Sequence, residues 1–451
     1  DGQPVASFRA DGVILSTPTG SMISRSVRKP FALTDKLETT MKAASRSHHP
    51  GAPDTAPYVP TAVRDLYSSD TALHLSSLRR DLHRNPELSW HENRTVELLA
   101  ATVARFGISD IRRVAGTGLV ARVPGLDHSA PVVALRGDID ALPIQEATGL
   151  PFESVNPGVM HACGHDVHAA WAIAATQLLL DSPARGDVLV VFQPAAEVGE
   201  GARAILDSGA LDSVRAIFGG HVDRRFAVGQ VVAQEGALAA STDTFRITIT
   251  GAGSHGARPH ESHDPIVGAA ALVGALQTIV SRRLDPAHPG VVTVGTINGG
   301  TAANIIPDTV QLSGTIRATT NETRTLLTGE LQRIAESIAM TYGLTSSVTF
   351  SGGTPPIVNP SVTVNWAREA VTHVLGTDAL VPLGTTNMGG EDFAEYMQNI
   401  PGCFMRIGAR EPGGRVIGAH SPSYYAAEDA LFIGAAVLAE SARVASDALA
   451  Q

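Results

Sequence analysis

The chain has 451 residues, 43% of them hydrophobic and 17% charged, with a formal net charge of −10. That length exceeds a usual single domain, and the composition excludes wholesale disorder. The acidic balance argues against a nucleic-acid partner, and aromatics at 5% leave little for base stacking. Two cysteines, Cys163 and Cys403, cannot frame a disulfide-built fold and fit a reducing, cytoplasmic setting. No uninterrupted apolar run approaches a membrane span, and the first residues lack a signal-peptide layout, so no membrane partner is expected.

Residues 1–71 are rich in Ser, Thr, Pro, Gly and Ala, with basic clusters such as Arg25 to Lys29, and predict a loosely ordered extension. Within it, Ala10 to Ser21 resembles a nucleotide-site segment of NAD kinases. The other parts of that fold are missing around it, so it is read as a chance match. From about residue 72 the apolar positions keep helical spacing, first Leu75, Leu78 and Leu82, then Val96, Leu99 and Val103. Val132 to Leu135 and Val188 to Phe192 read as buried strands, with a helix from Val167 to Leu180 between them. Such alternation predicts an α/β fold with a mostly parallel sheet and helices on its faces.

Residues 240–356 follow another pattern. Thr244 to Thr250 alternates as a half-exposed strand, and Ile266 to Val280 is a helix. Val291 to Ile297 and Val310 to Ile316 are strands, Thr323 to Tyr342 a helix, and Ser346 to Phe350 a closing strand. The order β-α-β-β-α-β predicts a ferredoxin-like α+β domain inserted into the larger one. The larger domain would then comprise 72–239 and 357–451, closing with a helix around 428–445.

The strongest chemical cluster is Met160-His-Ala-Cys163-Gly-His165-Asp166-Val-His168, because a thiolate and an imidazole two residues apart can share a metal. A buried Cys in a helix-entry loop is the plainer alternative. Glu197, in Gln193-Pro-Ala-Ala196-Glu197, follows the most hydrophobic strand, where a carboxylate is costly to bury unless it is paired or bound to a cation. His221 ends the apolar strand beginning at Ile217, and His420 lies in Gly418-Ala-His420-Ser-Pro422. A lone His is usually structural, but here these two join Cys163, His165 and Glu197. Sulfur, nitrogen and oxygen donors in that number suit one or two transition ions such as Zn, Mn or Co. Asp138 and Asp140 follow the strand at 132–135 and point the same way, so one could orient a ligand. In the inserted domain His255, Asn304 and Arg317 are polar candidates, and the planar fork of an Arg suits a substrate carboxylate.

Together these segments resemble one family, the zinc-peptidase-like metallo-amidohydrolases, in the branch of bacterial aminoacylases, hippurate hydrolases and auxin-conjugate hydrolases. The resemblance is carried by Arg80-Asp-Leu-His-Arg-Asn-Pro-Glu87, Arg136-Gly-Asp-Ile-Asp-Ala-Leu-Pro143, His161-Ala-Cys-Gly-His-Asp-Val-His168 and Gln193-Pro-Ala-Ala-Glu197. It continues in Gly219-Gly-His221, Gly253 to His260, Gly314-Thr-Ile-Arg317, Gly389-Gly-Glu-Asp-Phe393 and Ala419-His-Ser-Pro422. The segments run in family order across roughly residues 75–445. The resemblance implies a zinc-peptidase-like (phosphorylase/hydrolase-like) catalytic domain and a ferredoxin-like lid. It implies two divalent ions on Cys163, His165, Glu197, His221 and His420, with Cys163 bridging. It places Asp140 beside the base or a ligand, and His255 near the scissile carbonyl oxygen, acting across a dimer interface. Asn304, Arg317, Met388 and Gly389 would contact substrate, a small N-acyl amino acid cleaved to a carboxylic acid and an amino acid. Relatives often form homodimers through the lid.

One departure matters. The family motif reads Gln-Pro-Ala-Glu-Glu, and its first Glu is the general base; here that position is Ala196. A positioned acid–base group contributes roughly 10²–10⁴-fold, and alanine has no atom for the task. The chain as given is therefore expected to bind and hardly turn over, as a disabled variant, as a natural relative with a displaced base, or through a sequence error. The rival classes are a non-catalytic binding protein for acylated amino acids, and a dipeptidase or carboxypeptidase of the wider family.

Overall fold

Residues 59–451 are described in the computed structural model, so most of the expected extension, including Ala10 to Ser21, lies outside the described residues. The first long helix, α1 (Ser69–Arg84), starts ahead of the expected position because Ser68 accepts a hydrogen bond from the Thr71 backbone N–H at 3.1 Å. It is followed by α2 (Asn93–Arg105), then β1 (Ile111–Val114), β2 (Gly118–Val123) and β3 (Val132–Asp138). Next come α3 (His165–Asp181), β4 (Val188–Gln193), α4 (Gly201–Asp207), β5 (Val214–Ala227) and β6 (Val231–Val232).

The second sheet is built from β7 (Thr242–Thr250), β8 (Gly290–Gly299), β9 (Thr309–Ala318) and β10 (Thr345–Thr354), with α5 (Pro265–Thr278) and α6 (Asn321–Thr341) between them. The chain then returns through α7 (Ser361–Leu375), β11 (Gly402–Arg410) and α8 (Asp429–Leu449).

The large sheet has seven strands in the order β1-β2-β4-β3-β5-β11-β6. Strands β4, β3, β5 and β11 are mutually parallel, while β2, β1 and β6 add antiparallel edges. The alternation of β4 explains why its sequence is apolar from Val188 to Phe192. Val188, Val190 and Phe192 enter the core on one face, and Leu189 and Val191 the core on the other. The first face is covered by α3 and α8, whose buried positions run around their circumference. They meet closely because Gly434 lies against Trp171; a Cβ there would stand 2.2 Å from the indole ring.

The smaller sheet is antiparallel in the order β8-β9-β7-β10, the strand order of a ferredoxin-like unit. Phe245, Ile247 and Ile249 of β7 face a core filled from α5 and α6, including Leu272, Leu276, Leu327 and Leu331. Pro265–Arg283, α5 with its π-helical continuation, is long and apolar enough by length and composition to cross a membrane, a run that sequence inspection passed over. Its buried side packs on this sheet through Ala269, Leu272 and Leu276, and Ile266 and Val267 are exposed. Within β5, His221 sits in mid-strand rather than at the strand end expected for it, because the strand runs on to Ala227.

Gly434→Ala should cost about 1–3 kcal/mol, because the added methyl overpacks Trp171. Urea unfolding of the two chains checks this, and an unchanged midpoint would mean that the α3–α8 contact can widen freely.

Candidate metal centre

Three turns of chain converge at the carboxyl ends of β3 and β4. Asp138 ends β3, and Asp140 follows two residues later. Cys163 precedes α3, whose first residue is His165; the entry needs Gly164 at φ 89°, and a Cβ there would meet Val222 at 2.4 Å. Glu197 follows β4, His221 comes from β5, and His420 arrives on a loop with its own backbone left-handed at φ 66°.

The side chains meet. Cys163 Sγ stands 3.2 Å from His221 Nε2, and Glu197 Oε2 lies 3.3 Å from His420 Nε2. Glu197 Oε1 is 3.6 Å from His165 Nε2. Cys163, His165 and His221 form one group able to hold a metal ion, and Cys163, Glu197 and His420 another, so Cys163 belongs to both. The surroundings turn the right nitrogens inward. His165 Nδ1 contacts the Asp140 carbonyl at 2.9 Å and its carboxylate at 3.0 Å, and His221 Nδ1 donates to the Val222 carbonyl at 2.7 Å. With the Nδ1 proton so engaged, each Nε2 keeps a lone pair toward the cluster. Glu197 Oε1 is buried with no hydrogen-bond partner among the described residues. A buried carboxylate oxygen left open beside a thiol and three imidazoles fits a cation.

A third group, Asp138, His165 and His168, also lies close together. It is a support rather than a site. His168 Nδ1 donates to Asp138 at 2.6 Å, and its Nε2 accepts from the Val222 backbone N–H at 3.0 Å, so neither nitrogen is free. Burial alone would push Asp138 up, but Arg136, His165 and His168 outweigh it and hold the carboxyl well below the usual range. Arg136 is itself fully buried and donates to Gln193 at 2.9 Å, Asp392 at 2.9 Å and Glu391 at 3.1 Å. It joins β3, β4 and the 391–392 loop beneath the site.

The donors line a cavity of about 950 Å³ that Ala196, Gly389 and Arg317 also line. Arg317 comes from the smaller sheet, so both sheets wall the cavity. Asp140 stands behind the wall, where its Oδ2 accepts from the Glu197 backbone N–H at 3.0 Å and from Ser89 at 2.7 Å. His255, Asn304 and Met388 are not among the lining residues. His255 and Asn304 are exposed and share a corner of the smaller sheet, where the Gly256 N–H donates to the Asn304 carbonyl at 2.8 Å. Sequence reasoning gave no role to His168 or Arg136, and left open which of Asp138 and Asp140 orients a ligand; here both support histidines, Asp138 holding His168 and Asp140 holding His165. The signal for His168 was present, since it stands three residues after His165 on one helix face.

Further out, Asp166 anchors the start of α3. Arg79 of α1 donates to it at 2.7 Å, His83 Nδ1 reaches it at 2.9 Å, and His83 Nε2 reaches Glu146 at 3.0 Å. Burial would lower the His83 pKa, but the two carboxylates outweigh it and raise it above the ordinary value.

The family model described as Peptidase family M20/M25/M40 matches residues 134–443. The chain is 40% identical over 336 residues to the N-acetyl-L-cysteine deacetylase of Bacillus subtilis (strain 168), covering 74% of this chain and 80% of that one. It is 38% identical over 375 residues to the IAA-amino acid hydrolase ILR1-like 4 of Arabidopsis thaliana, covering 81% and 84%. A solved structure described as a dinuclear metal binding peptidase from M20 family, from Bacillus subtilis, superposes with a TM-score of 0.73 at 35% identity, covering 84% of this chain and 99% of that one.

The raised His83 pKa has a definite sign in stability. Its ion pairs contribute fully below the unfolded value of about 6.5 and fade as pH rises through the folded value. His83→Gln should therefore lower the thermal midpoint under acidic conditions and flatten its decline on the alkaline side. Parallel pH profiles for the two chains would contradict the pairing.

Proposed function

The chain belongs to peptidase family M20/M25/M40, and from that membership we propose that it is built to hydrolyse the amide joining an acyl group to an amino acid. The observation that carries this reading is the pair of donor groups sharing Cys163 on the wall of a cavity that also holds Arg317. Cys163, His165, Glu197, His221 and His420 would hold two divalent ions, Zn, Mn or Co. When bound, the ions would polarise the scissile carbonyl and acidify the attacking water.

The remaining work falls to the chain. Asp140 fixes the ring of His165 and the backbone of Glu197 together, so two donors keep one geometry. Arg317 offers a planar fork to the substrate carboxylate, and Gly389 leaves room for the backbone beside it. The smaller sheet, as a lid domain over 240–356, would exclude water from the reacting bond. His255 and Asn304 stand away from the cavity of their own chain, which supports a homodimer in which they reach the site of a second copy. The exposed Ile266 and Val267 of α5 supply apolar surface for such a contact. Both cysteines are free and buried, which supports a reducing, cytoplasmic setting.

Position 196 lines the cavity, and its methyl group can neither take a proton from water nor return one to the departing nitrogen. The chain as it stands therefore binds substrate and turns it over slowly. A non-catalytic binding protein is the second reading, and Ala196 is the observation that favours it.

Ala196→Glu decides between them. Both chains should bind about two divalent ions, and the variant should hydrolyse N-acyl amino acids roughly 10²–10⁴-fold faster. A variant that is metal-loaded yet inactive on a panel of such amides would favour the binding protein. Separately, Cys163→Ala should remove most bound metal, because it belongs to both donor groups, and His420→Ala should leave about one ion per chain by elemental analysis. Equal metal content in all chains would overturn the ligand assignment.

A further inference from the structure

Arg406 lies on β11 in register with His221 of β5, beside the donor cluster, and lines the same cavity. It is 6% exposed, and its Nε is buried without a hydrogen-bond partner. The nearest aromatic face is that of Phe404, 5.6 Å from the guanidinium. The carboxylates that act on it electrostatically are Asp223 and Glu391. Each is already engaged. Asp223 accepts from Arg225 at 2.7–3.1 Å, and Glu391 accepts from Arg136 at 3.1 Å. Arg317 across the cavity repeats the arrangement. Its nearby acid is Asp243, which is held by Arg324 through two bonds of 2.7 and 2.8 Å. Two arginines thus face one cavity, and neither has an ion-pair partner among the described residues.

A desolvated guanidinium without a counter-ion is costly to keep. Such a cation is retained where an anion arrives from outside, and the fork of Arg matches a carboxylate. An N-acyl amino acid with one carboxylate satisfies one arginine only. We propose that Arg406 binds a second carboxylate, and that the site selects N-acyl amino acids bearing two. This rests on the amidohydrolase reading and adds the charge of the substrate. The second carboxylate belongs either to a dicarboxylic acyl group or to the side chain of an acidic amino acid; both present the same chemistry to the guanidinium.

The test is equilibrium binding by calorimetry on the manganese-loaded chain, whose slow turnover makes the measurement practicable. The ligands are N-acetylalanine, N-acetylglutamate and N-succinylalanine. One of the two dicarboxylates should bind about ten- to a hundred-fold tighter than N-acetylalanine. N-acetylglutamate gaining would place the second charge on the amino acid, and N-succinylalanine gaining would place it on the acyl group. Arg406→Met should bring the favoured dicarboxylate down to the level of N-acetylalanine, and Arg406→Lys should keep part of the gain. The ligand-free Arg406→Met chain should melt at the same or a higher temperature, since an unpaired buried cation has gone. Equal binding of all three ligands overturns the inference while leaving the amidohydrolase reading intact. So does an Arg406→Met chain that weakens N-acetylalanine as much as the dicarboxylates. No binding of N-acetylalanine or either dicarboxylate by the metal-loaded chain overturns the reading and the inference together.

Discussion

Burying negative charge is expensive, and the structure around the cavity is arranged to meet that cost. Asp138, Asp140 and Glu197 all lie at the carboxyl ends of parallel strands, where side chains leave the sheet and enter the interior. Each innermost acid is met by positive charge or by donors: Asp138 by Arg136 and His168, Asp140 by Ser89 and the Glu197 amide. Glu197 is the exception, since one of its oxygens is buried with nothing to accept from. Among these three acids, the oxygen left without a hydrogen-bond partner is therefore at the place where a divalent cation fits. Positive charge is drawn there in any case: Cys163 and Glu197 hold the His420 pKa up to about 10, and the protons so held are what incoming ions displace.

Much of this was legible in the sequence, for reasons that can be named. Strand β4 is apolar from Val188 to Phe192 because both its faces are covered, so Glu197 just beyond it stood out as a carboxylate in the wrong solvent. The β-α-β-β-α-β order of the smaller sheet could be read because β7 and β9 alternate strictly, with one face on helices and one in water. What stayed hidden was long-range. Nothing near Arg136 in sequence announces that Asp392 will close on it from the far end of the fold. Arg406 stood in the run Cys403-Phe-Met-Arg406-Ile, and an arginine among apolar neighbours is a signal in itself: it must find a partner or await one. His255 was singled out in the inserted domain and yet is not among the residues lining the cavity, because the periodicity of one strand says nothing of its distance from a distant loop.

The two sheets are tied by a narrow device. The chain enters the smaller sheet after Gly236–Ala239 and leaves it before Ile357–Asn359, and these two segments pair as an antiparallel ribbon. Beside them Thr242 and Thr354 share a hydroxyl–hydroxyl contact of 2.9 Å. Both crossings thus lie side by side, and the 389–390 segment of the large domain meets them, the Ala240 N–H donating to the Gly389 carbonyl at 3.1 Å. Arg317 and Thr242 line the cavity from beyond this ribbon, while the metal donors line it from within the large sheet.

His420 stands far along the chain from Cys163, and the helix that packs behind Cys163 and His165 is α8, later still. During synthesis, Cys163 and His165 emerge from the ribosome long before their remaining partners exist. The early chain has a thiol and an imidazole two residues apart, with Glu197, His221, His420 and α8 still to come. The group Cys163, His165 and His221 is complete once β5 has been made, whereas the group that shares Cys163 with Glu197 waits for His420, so a chain ending before that loop lacks the second donor group.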